Sequence, residues 1–354
     1  MKKTSVYLAL ACIGLALAAY LGYSNLFPQA EPPYDDDQEG LSGQIVFKFS
    51  HVVAENTPKG QAAAKFAELV AEKSNGKIQI VVFPNGSLYS DIEEINALKD
   101  GQVQFIAPST SKLGELSPRW GILDLPFAFD SHEAMQRGIH GDIGRKLLDS
   151  LQENELVGLA HWSNGFKQIT SNTGPITEPA DLKGQKLRIM PNEIIREQFD
   201  MLGVESHEES FNSTYNLIEA GIVDGEENTI SNIYSKKFYN VQKHLTISSH
   251  GYLGYAVMMD QAVWNQQSDG TKQILLEAME ETTAWNDKNA IKLNEEQLAL
   301  IKQQSPIQIH ELTEAQKQRW KEKLVPLYEQ FSKEIGADML EELKILQKSH
   351  KTNP

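Results

Sequence analysis

The sequence predicts an α/β fold built in two lobes, and three observations carry that expectation. Strand-like and helix-like segments alternate in two successive runs, the pattern of a mainly parallel sheet with helices on its faces. A chain of 354 residues exceeds what one hydrophobic core usually organises. A helix-like stretch from Thr271 to Gln304 contains no proline and no internal glycine, so it is long enough to lie along both lobes if it is continuous.

The elements follow in order. Gln44 to Ser50 reads as a strand. Thr57-Pro58 opens an Ala-rich amphipathic helix that ends at Asn75-Gly76, where glycine suits the left-handed position. Lys77 to Phe83 is a second strand, closed by Pro84-Asn85-Gly86. Ser90-Asp91-Ile92-Glu93 is a capping box before a helix that stops at Gly101, and Val103 to Ala107 is a third strand. The second run starts with strands at Phe166 to Ser171 and Lys186 to Met190, then a helix from Asn192 to Leu202. Val204 to His207 reads as a strand, Asn212 to Ala220 as a helix, Ile222 to Glu226 as a strand, and helix-like sequence follows Thr229. Strands return near Leu245 to Ser249 and Tyr252 to Met259. The Thr271 to Gln304 stretch reads equally as one helix or as two broken near Asn286 to Asn289. Helices from Glu314 to Gly336 and Ala337 to Lys348 close the chain.

Charge and composition narrow the function. The chain is 40% hydrophobic and 23% charged, as in ordinary globular domains, and its formal net charge is −15. So acidic a surface excludes nucleic acid as a partner, because phosphate binding needs a basic footprint. A small anion could be held only by a local cluster of Lys and Arg working against the overall field. Lys2 and Lys3 precede an uncharged, mostly apolar run from Tyr7 to Tyr23, with Ala16-Leu17-Ala18 as a small-x-small cleavage site, so residues 1–27 read as a signal peptide or anchor. Cys12, the single cysteine, lies within that run. Apolar sequence continues past it, which argues against lipidation, and the exported body has no thiol or disulfide. Residues 28–43 form a polar linker.

No catalytic motif emerges. There is no GxSxG elbow, phosphate loop or dinucleotide fingerprint, and Ser131-His132-Glu133 lacks the second histidine of a zinc motif because position 136 is Gln. No cofactor is expected. The residue types that could bind a solute sit where strands end. Arg188 ends a short apolar strand, on the face opposite Leu187 and Ile189, just before a helix. Ligands of open α/β folds bind beyond such strand ends, and a guanidinium fork fits a carboxylate. Position alone leaves a surface ion pair with a neighbouring glutamate equally open. Lys59 opens the first helix, where free N–H groups and the dipole favour an anion. His51 ends the first strand, Ser109 and Thr110 follow the third, Lys167 lies in an apparent crossing between lobes, Phe211 offers an apolar wall, and Asn228 ends a strand with an amide.

Several stretches together resemble one family. Phe49-Ser50-His51-Val52-Val53 with Thr57-Pro58-Lys59-Gly60, Gly165-Phe166-Lys167-Gln168, Leu182-Lys183-Gly184 with Leu187-Arg188-Ile189-Met190, and Asp224-Gly225 with Glu227-Asn228 look like the extracytoplasmic solute receptors of TRAP transporters. Ser231 to Lys237 and His250 to Tyr255 point to the C4-dicarboxylate, DctP-type branch. The resemblance covers about residues 44 to 345. It implies a periplasmic-binding-protein-like fold of two lobes with a hinge and a long helix spanning both. Lobe I would be residues 44–165 plus 254–293, and lobe II residues 166–253 plus 294–348. It implies a non-enzymatic periplasmic receptor that captures a small dicarboxylate, such as succinate, malate or fumarate, and delivers it to the small and large membrane subunits of a permease. A keto or sugar acid is the alternative solute, and a secreted hydrolase the alternative class. By resemblance, Arg188 makes the bidentate carboxylate contact, Asn228 is the ligand-binding asparagine and Phe211 the wall. Lys59, Ser109, Thr110 and His51 form the first-lobe side. The chain departs from the family pattern at Lys167, where many receptors carry arginine, at Glu226, where glutamine is common, and at Ser249, where asparagine often stands.

Overall fold

The computed structural model describes residues 43–351, so the targeting segment and most of the linker lie outside the described residues. From Ile45 onward the chain packs as one compact unit. Its nine strands are β1 (Ile45–Ser50), β2 (Ile78–Phe83), β3 (Phe105–Ile106), β4 (Leu156–Ser171), β5 (Lys186–Ile189), β6 (Glu205–Glu208), β7 (Gly225–Thr229), β8 (His244–Asp260) and β9 (Gln308–Glu311). The helices are α1 (Pro58–Lys73), α2 (Glu94–Lys99), α3 (His132–Ile139), α4 (Asp142–Ser150), α5 (Glu193–Met201), α6 (Thr214–Glu219), α7 (Ile230–Ser235), α8 (Gln261–Asn265), α9 (Asp269–Gln304), α10 (Glu314–Leu324), α11 (Pro326–Gln330), α12 (Ser332–Ile335) and α13 (Ala337–Lys351).

All nine strands join one sheet in the order β2-β1-β3-β8-β4-β7-β5-β6, with β9 on β8. The expected parallel arrangement holds at the flanks, β2-β1-β3 and β7-β5-β6. The centre is antiparallel: β4 pairs with β8 over almost their whole lengths, and each end of that ribbon carries one flank. The two strand signals expected after Lys243 are therefore one strand of 17 residues. Residues along β8 alternate between two cores. Ala256 and Met258 join a core with Trp120, Phe199 and Trp320, while Val257 and Met259 join one with Phe49, Phe66 and Leu275. The period of two places one core on each face of the sheet.

Local chemistry fixes the ends. Thr57 accepts a hydrogen bond from Gly60 N and Pro58 takes the first turn of α1, as expected. Asn75 and Gly76 follow with φ of 51° and 77°. The Ser90 box is displaced by a turn: Ser90 N and Oγ donate to Glu93 Oε2, and α2 begins only at Glu94. α9 is one helix of 36 residues, about 54 Å at ~1.5 Å per residue. The asparagines that suggested a break bind neighbours instead. Asn286 Oδ1 accepts from Ser163 N and Asn289 Nδ2 donates to Gln61 Oε1, while Asn294 accepts from Ser231 N and donates to Asn164 O. α9 thus holds α1, β4 and α7 together. The closing helix expected from Glu314 to Gly336 is cut into three by Pro326, which cannot continue a helix, and by a second break at Phe331.

Candidate functional site

Arg188 lies on β5 between Leu187 and Ile189, which are fully buried in one core. Its guanidinium is itself buried, 2% exposed, and forms no ion pair among the described residues, so the surface-pair reading is overturned. Nε and Nη2 both donate to the carbonyl of Glu209, at 3.0 and 2.6 Å, which fixes the guanidinium plane. Those bonds do not involve the Nη1 group. Burial lowers the pKa of Arg188, while Glu226, Asp91, Glu227 and Glu209 oppose that shift. An arginine keeps its charge under such burial.

β7 lies beside β5 and delivers Glu226, Glu227 and Asn228, all buried. Asn228 Nδ2 donates to Glu226 Oε2 at 3.0 Å, and its Oδ1 accepts from Thr229 N and Asn232 Nδ2 at 3.1 and 2.7 Å. The amide orientation is therefore set, and the one side-chain hydrogen left over is a donor. Lys167, paired across from β7 on β4, donates to Glu227 Oε1 at 3.0 Å in a pair 4% and 2% exposed. His250 Nε2 lies 3.4 Å from the other Glu227 oxygen, close enough for an ion-pair contact but without hydrogen-bond geometry. Burial alone would raise Glu227, yet Lys167 and His250 hold it below the ordinary glutamate value. Burial lowers the pKa of His250, and Glu227 opposes that shift. Phe211 is buried edge-on to Phe238, with centroids 6.4 Å apart.

A second group gathers around Lys59, fully buried in the first turn of α1. Its Nζ donates to Ala107 O at 2.9 Å and stands 3.8 Å from the centroid of the Tyr255 ring. Burial pushes Lys59 down and Glu94 up, each partly countered by the other. His51 is pushed down to about 3 by burial and by Lys59, so it is a neutral imidazole. Ser50 Oγ, both ring nitrogens of His51, both carboxyl oxygens of Glu94 and the Tyr255 hydroxyl are buried with no hydrogen-bond partner among the described residues. Buried polar atoms are nearly always paired, so these represent unspent recognition capacity. Thr110 donates weakly to Gly254 O on β8 at 3.4 Å, and Ser109 Oγ accepts from Ser111 N in its own turn at 3.4 Å, so both hydroxyls are already engaged.

The structure thus groups Arg188, Asn228 and Lys167 around Glu226 and Glu227, and groups Lys59 with His51 and the Tyr255 ring. Asp91 acts electrostatically on both Arg188 and Lys59. It also lines a cavity of about 560 Å³ with Lys112, Asn192, Arg196 and Ile335, but none of the sequence-predicted residues lines that cavity. Glu94, Asp91, Glu226, Tyr255 and Asn232 were not read as site residues. Glu94 looks like the polar face of an amphipathic helix, and only its neighbours in space reveal its burial. Among the described residues, no cluster of three His, Cys, Asp or Glu could hold a metal, and no helix is long and apolar enough to cross a membrane.

Comparison with known proteins agrees with this architecture. The profile of DctP, bacterial extracellular solute-binding protein family 7, matches residues 49–334. The chain is 60% identical to the C4-dicarboxylate-binding protein DctB of Bacillus subtilis, over 98% of this chain and 99% of that one. It is 39% identical to the C4-dicarboxylate-binding periplasmic protein DctP of Rhodobacter capsulatus, over 86% and 91% of the two chains. A TRAP periplasmic solute-binding protein from Sulfurospirillum deleyianum, solved with bound succinate, superposes with a TM-score of 0.83 at 39% identity, covering 86% of this chain and 99% of that one. The sheet split about a central ribbon, the helix along its length and these matches lead to one conclusion: the chain is a two-lobed solute-binding protein and belongs to family 7, the DctP family of TRAP-transporter receptors.

Proposed function

We propose that this protein captures a C4-dicarboxylate, of the succinate, malate or fumarate type, in the periplasm and delivers it to the small and large membrane subunits of a TRAP permease. The observation that carries the reading is the buried guanidinium of Arg188. It is held flat by the Glu209 carbonyl and shares Glu226 as a neighbour with the donor amide of Asn228, while a second buried cation, Lys59, opens α1. Two cationic groups separated by neutral and carboxyl side chains suit a short molecule with a carboxylate at each end. The names of the relatives and the succinate in the S. deleyianum structure support the same class. Residues 1–27, outside the described residues, are assigned to export and membrane targeting.

Lobe I is assigned to residues 44–165 plus 254–293 and lobe II to 166–253 plus 294–348. The two crossing points face each other in the central ribbon, where Gly165 pairs with Leu253 and the register shifts between Ser163 and Gly165. Gly165 has φ of 131°, a conformation other residues adopt with strain, which suits it to a hinge. Thermal-shift and calorimetric titration with succinate, malate and fumarate, set beside keto and sugar acids, tests the assignment. Stabilisation and saturable binding by the dicarboxylates are expected, since a ligand bound only to the folded state raises its stability. Tighter binding of a keto or sugar acid would replace the solute class.

A further inference from the structure

Glu226 is an unusual neighbour for an anion hook. It is fully buried on β7, with a carboxylate of its own beside the guanidinium expected to receive the solute's carboxylate. Its oxygens are placed by hydrogen bonds. Asn228 Nδ2 donates to Oε2 at 3.0 Å, and Thr170 Oγ1, from β4, donates to Oε1 at 3.2 Å. The charged groups facing it are Arg188 from β5 and Glu227 on its own strand. Lys167, the cation that β4 contributes here, is committed to Glu227, and α7 presents the neutral amide of Asn232.

Two consequences follow. The bond from Asn228 Nδ2 to Glu226 sets which way the amide points, so Asn228 presents a donor and recognises an acceptor oxygen. A carboxylate docking on Arg188 also meets the buried carboxyl of Glu226, the cross-strand neighbour of that arginine, whose charge Arg188 favours without a direct ion pair. Two like charges cannot share one buried cation without cost, and a proton on Glu226 removes the repulsion.

We propose that Glu226 is the positioning residue of the solute anchor, taking up one proton from solvent when a solute carboxylate docks on Arg188 beside it. The inference rests on the dicarboxylate-receptor reading above. The protonated carboxyl keeps its bond from Asn228, and its new O–H donates to Thr170 Oγ1, whose hydroxyl reverses to accept. Burial has already pushed Glu226 up to about 7, with Asn228 and Arg188 opposing the shift. Engaging Arg188 with the solute removes part of that opposition and raises it further. Binding above pH 7 is then accompanied by proton uptake and weakens as pH rises.

The test is calorimetric titration of the full exported body with fumarate, whose carboxyls both stay ionised, between pH 6.5 and 8.5 in phosphate and in Tris. These buffers differ in heat of ionisation, so the difference in apparent binding heat counts protons directly. For the wild type, the count should approach one per fumarate above pH 7, and Kd should rise toward about tenfold per pH unit, the limit for one linked proton. Glu226→Gln keeps an acceptor for Asn228 and should remove both the proton count and the slope, whatever its affinity. Equal heats in the two buffers with a pH-independent wild-type Kd overturn the proposal without need of the variant. So does a Glu226→Gln protein, shown folded by thermal melting, that keeps the wild-type slope. Failure of every dicarboxylate to bind wild type would instead sink the receptor reading on which this rests.

Discussion

The two sides of the buried site satisfy their polar groups differently. Around Arg188 most bonds are already made, to the Glu209 carbonyl, between Asn228 and Glu226, and between Lys167 and Glu227, and only His250 Nε2 and Asn232 Oδ1 there lack a partner among the described residues. Around Lys59 the cation is equally buried, yet Ser50, His51, Glu94 and Tyr255 keep polar atoms with no partner among the described residues. The first side is rigid and committed, suited to one chemical group. The second holds donors and acceptors in reserve, suited to whatever distinguishes one solute from another. Under the proposed function, that contrast assigns Arg188 to reading the class of solute and the Lys59 side to reading its identity.

The strongest challenge to the comparison is Arg188→Lys. An ammonium cannot hold the Glu209 carbonyl and a solute carboxylate in one plane. Succinate and the one-ended acid butyrate should therefore both weaken by about 2–5 kcal/mol, on the scale of truncating a buried charge pair. Unchanged Kd values by calorimetry would remove Arg188 from the site. Next comes Lys59→Met, which keeps the volume and discards the charge. Succinate should weaken by about 2–3 kcal/mol, within the same range for a buried pair, while butyrate changes little. A parallel loss for both acids would erase the division between the two sides.

A smaller effect separates them by pH. Burial pushes Glu226 up to about 7 and Asp124 up to about 6, and it raises Glu94. A carboxyl whose folded pKa is raised contributes stability that is complete below its unfolded value and is lost as pH climbs through the folded one. Across pH 5 to 8 that loss is opposed by buried histidines, His51 pushed down to about 3 and His161 to about 4, which stabilise the fold as pH rises through the unfolded histidine range. The contribution of Glu226 is therefore read as a difference: the melting temperature of solute-free Glu226→Gln relative to wild type should be higher at pH 8 than at pH 5, by roughly several degrees for a few kcal/mol. A difference that stays constant or falls across this window contradicts the assignment. Least of all, Tyr255→Phe removes a buried hydroxyl with no partner, so the solute-free melting temperature should stay level or rise slightly. A marked fall would mean that the hydroxyl supports the fold.

Most of the fold was legible because its signals are local. Thr57-Pro58, Asn75-Gly76 and the alternation around Leu187 and Ile189 each act within a few residues. The central ribbon was not legible. β4 contains Gly158 and Ser163-Asn164-Gly165, which read as interruptions, yet antiparallel pairing to β8 absorbs them as register shifts. Asn286 and Asn289 likewise read as breaks in α9, and their partners come from distant segments. The site was legible to the same depth. Arg188, Lys59, Lys167 and Asn228 stand out as candidates from where strands and helices end. The burial of Glu94, the bond from Thr110 to Gly254 and the register that sets Glu226 beside Arg188 depend on which segments meet in space.

The asparagines of α9 limit how the molecule can move. Asn286 grips the backbone of Ser163, and Asn294 grips Asn164 and Ser231, at points about 12 Å apart along one stiff rod. On the ribbon the two grips fall on adjacent residues, so β4 is fastened to this rod immediately before Gly165. Residues on the near side of that glycine are tied to α9, and spectroscopic labels on α9 and beyond Gly165 would report any motion about the proposed hinge against a fixed reference.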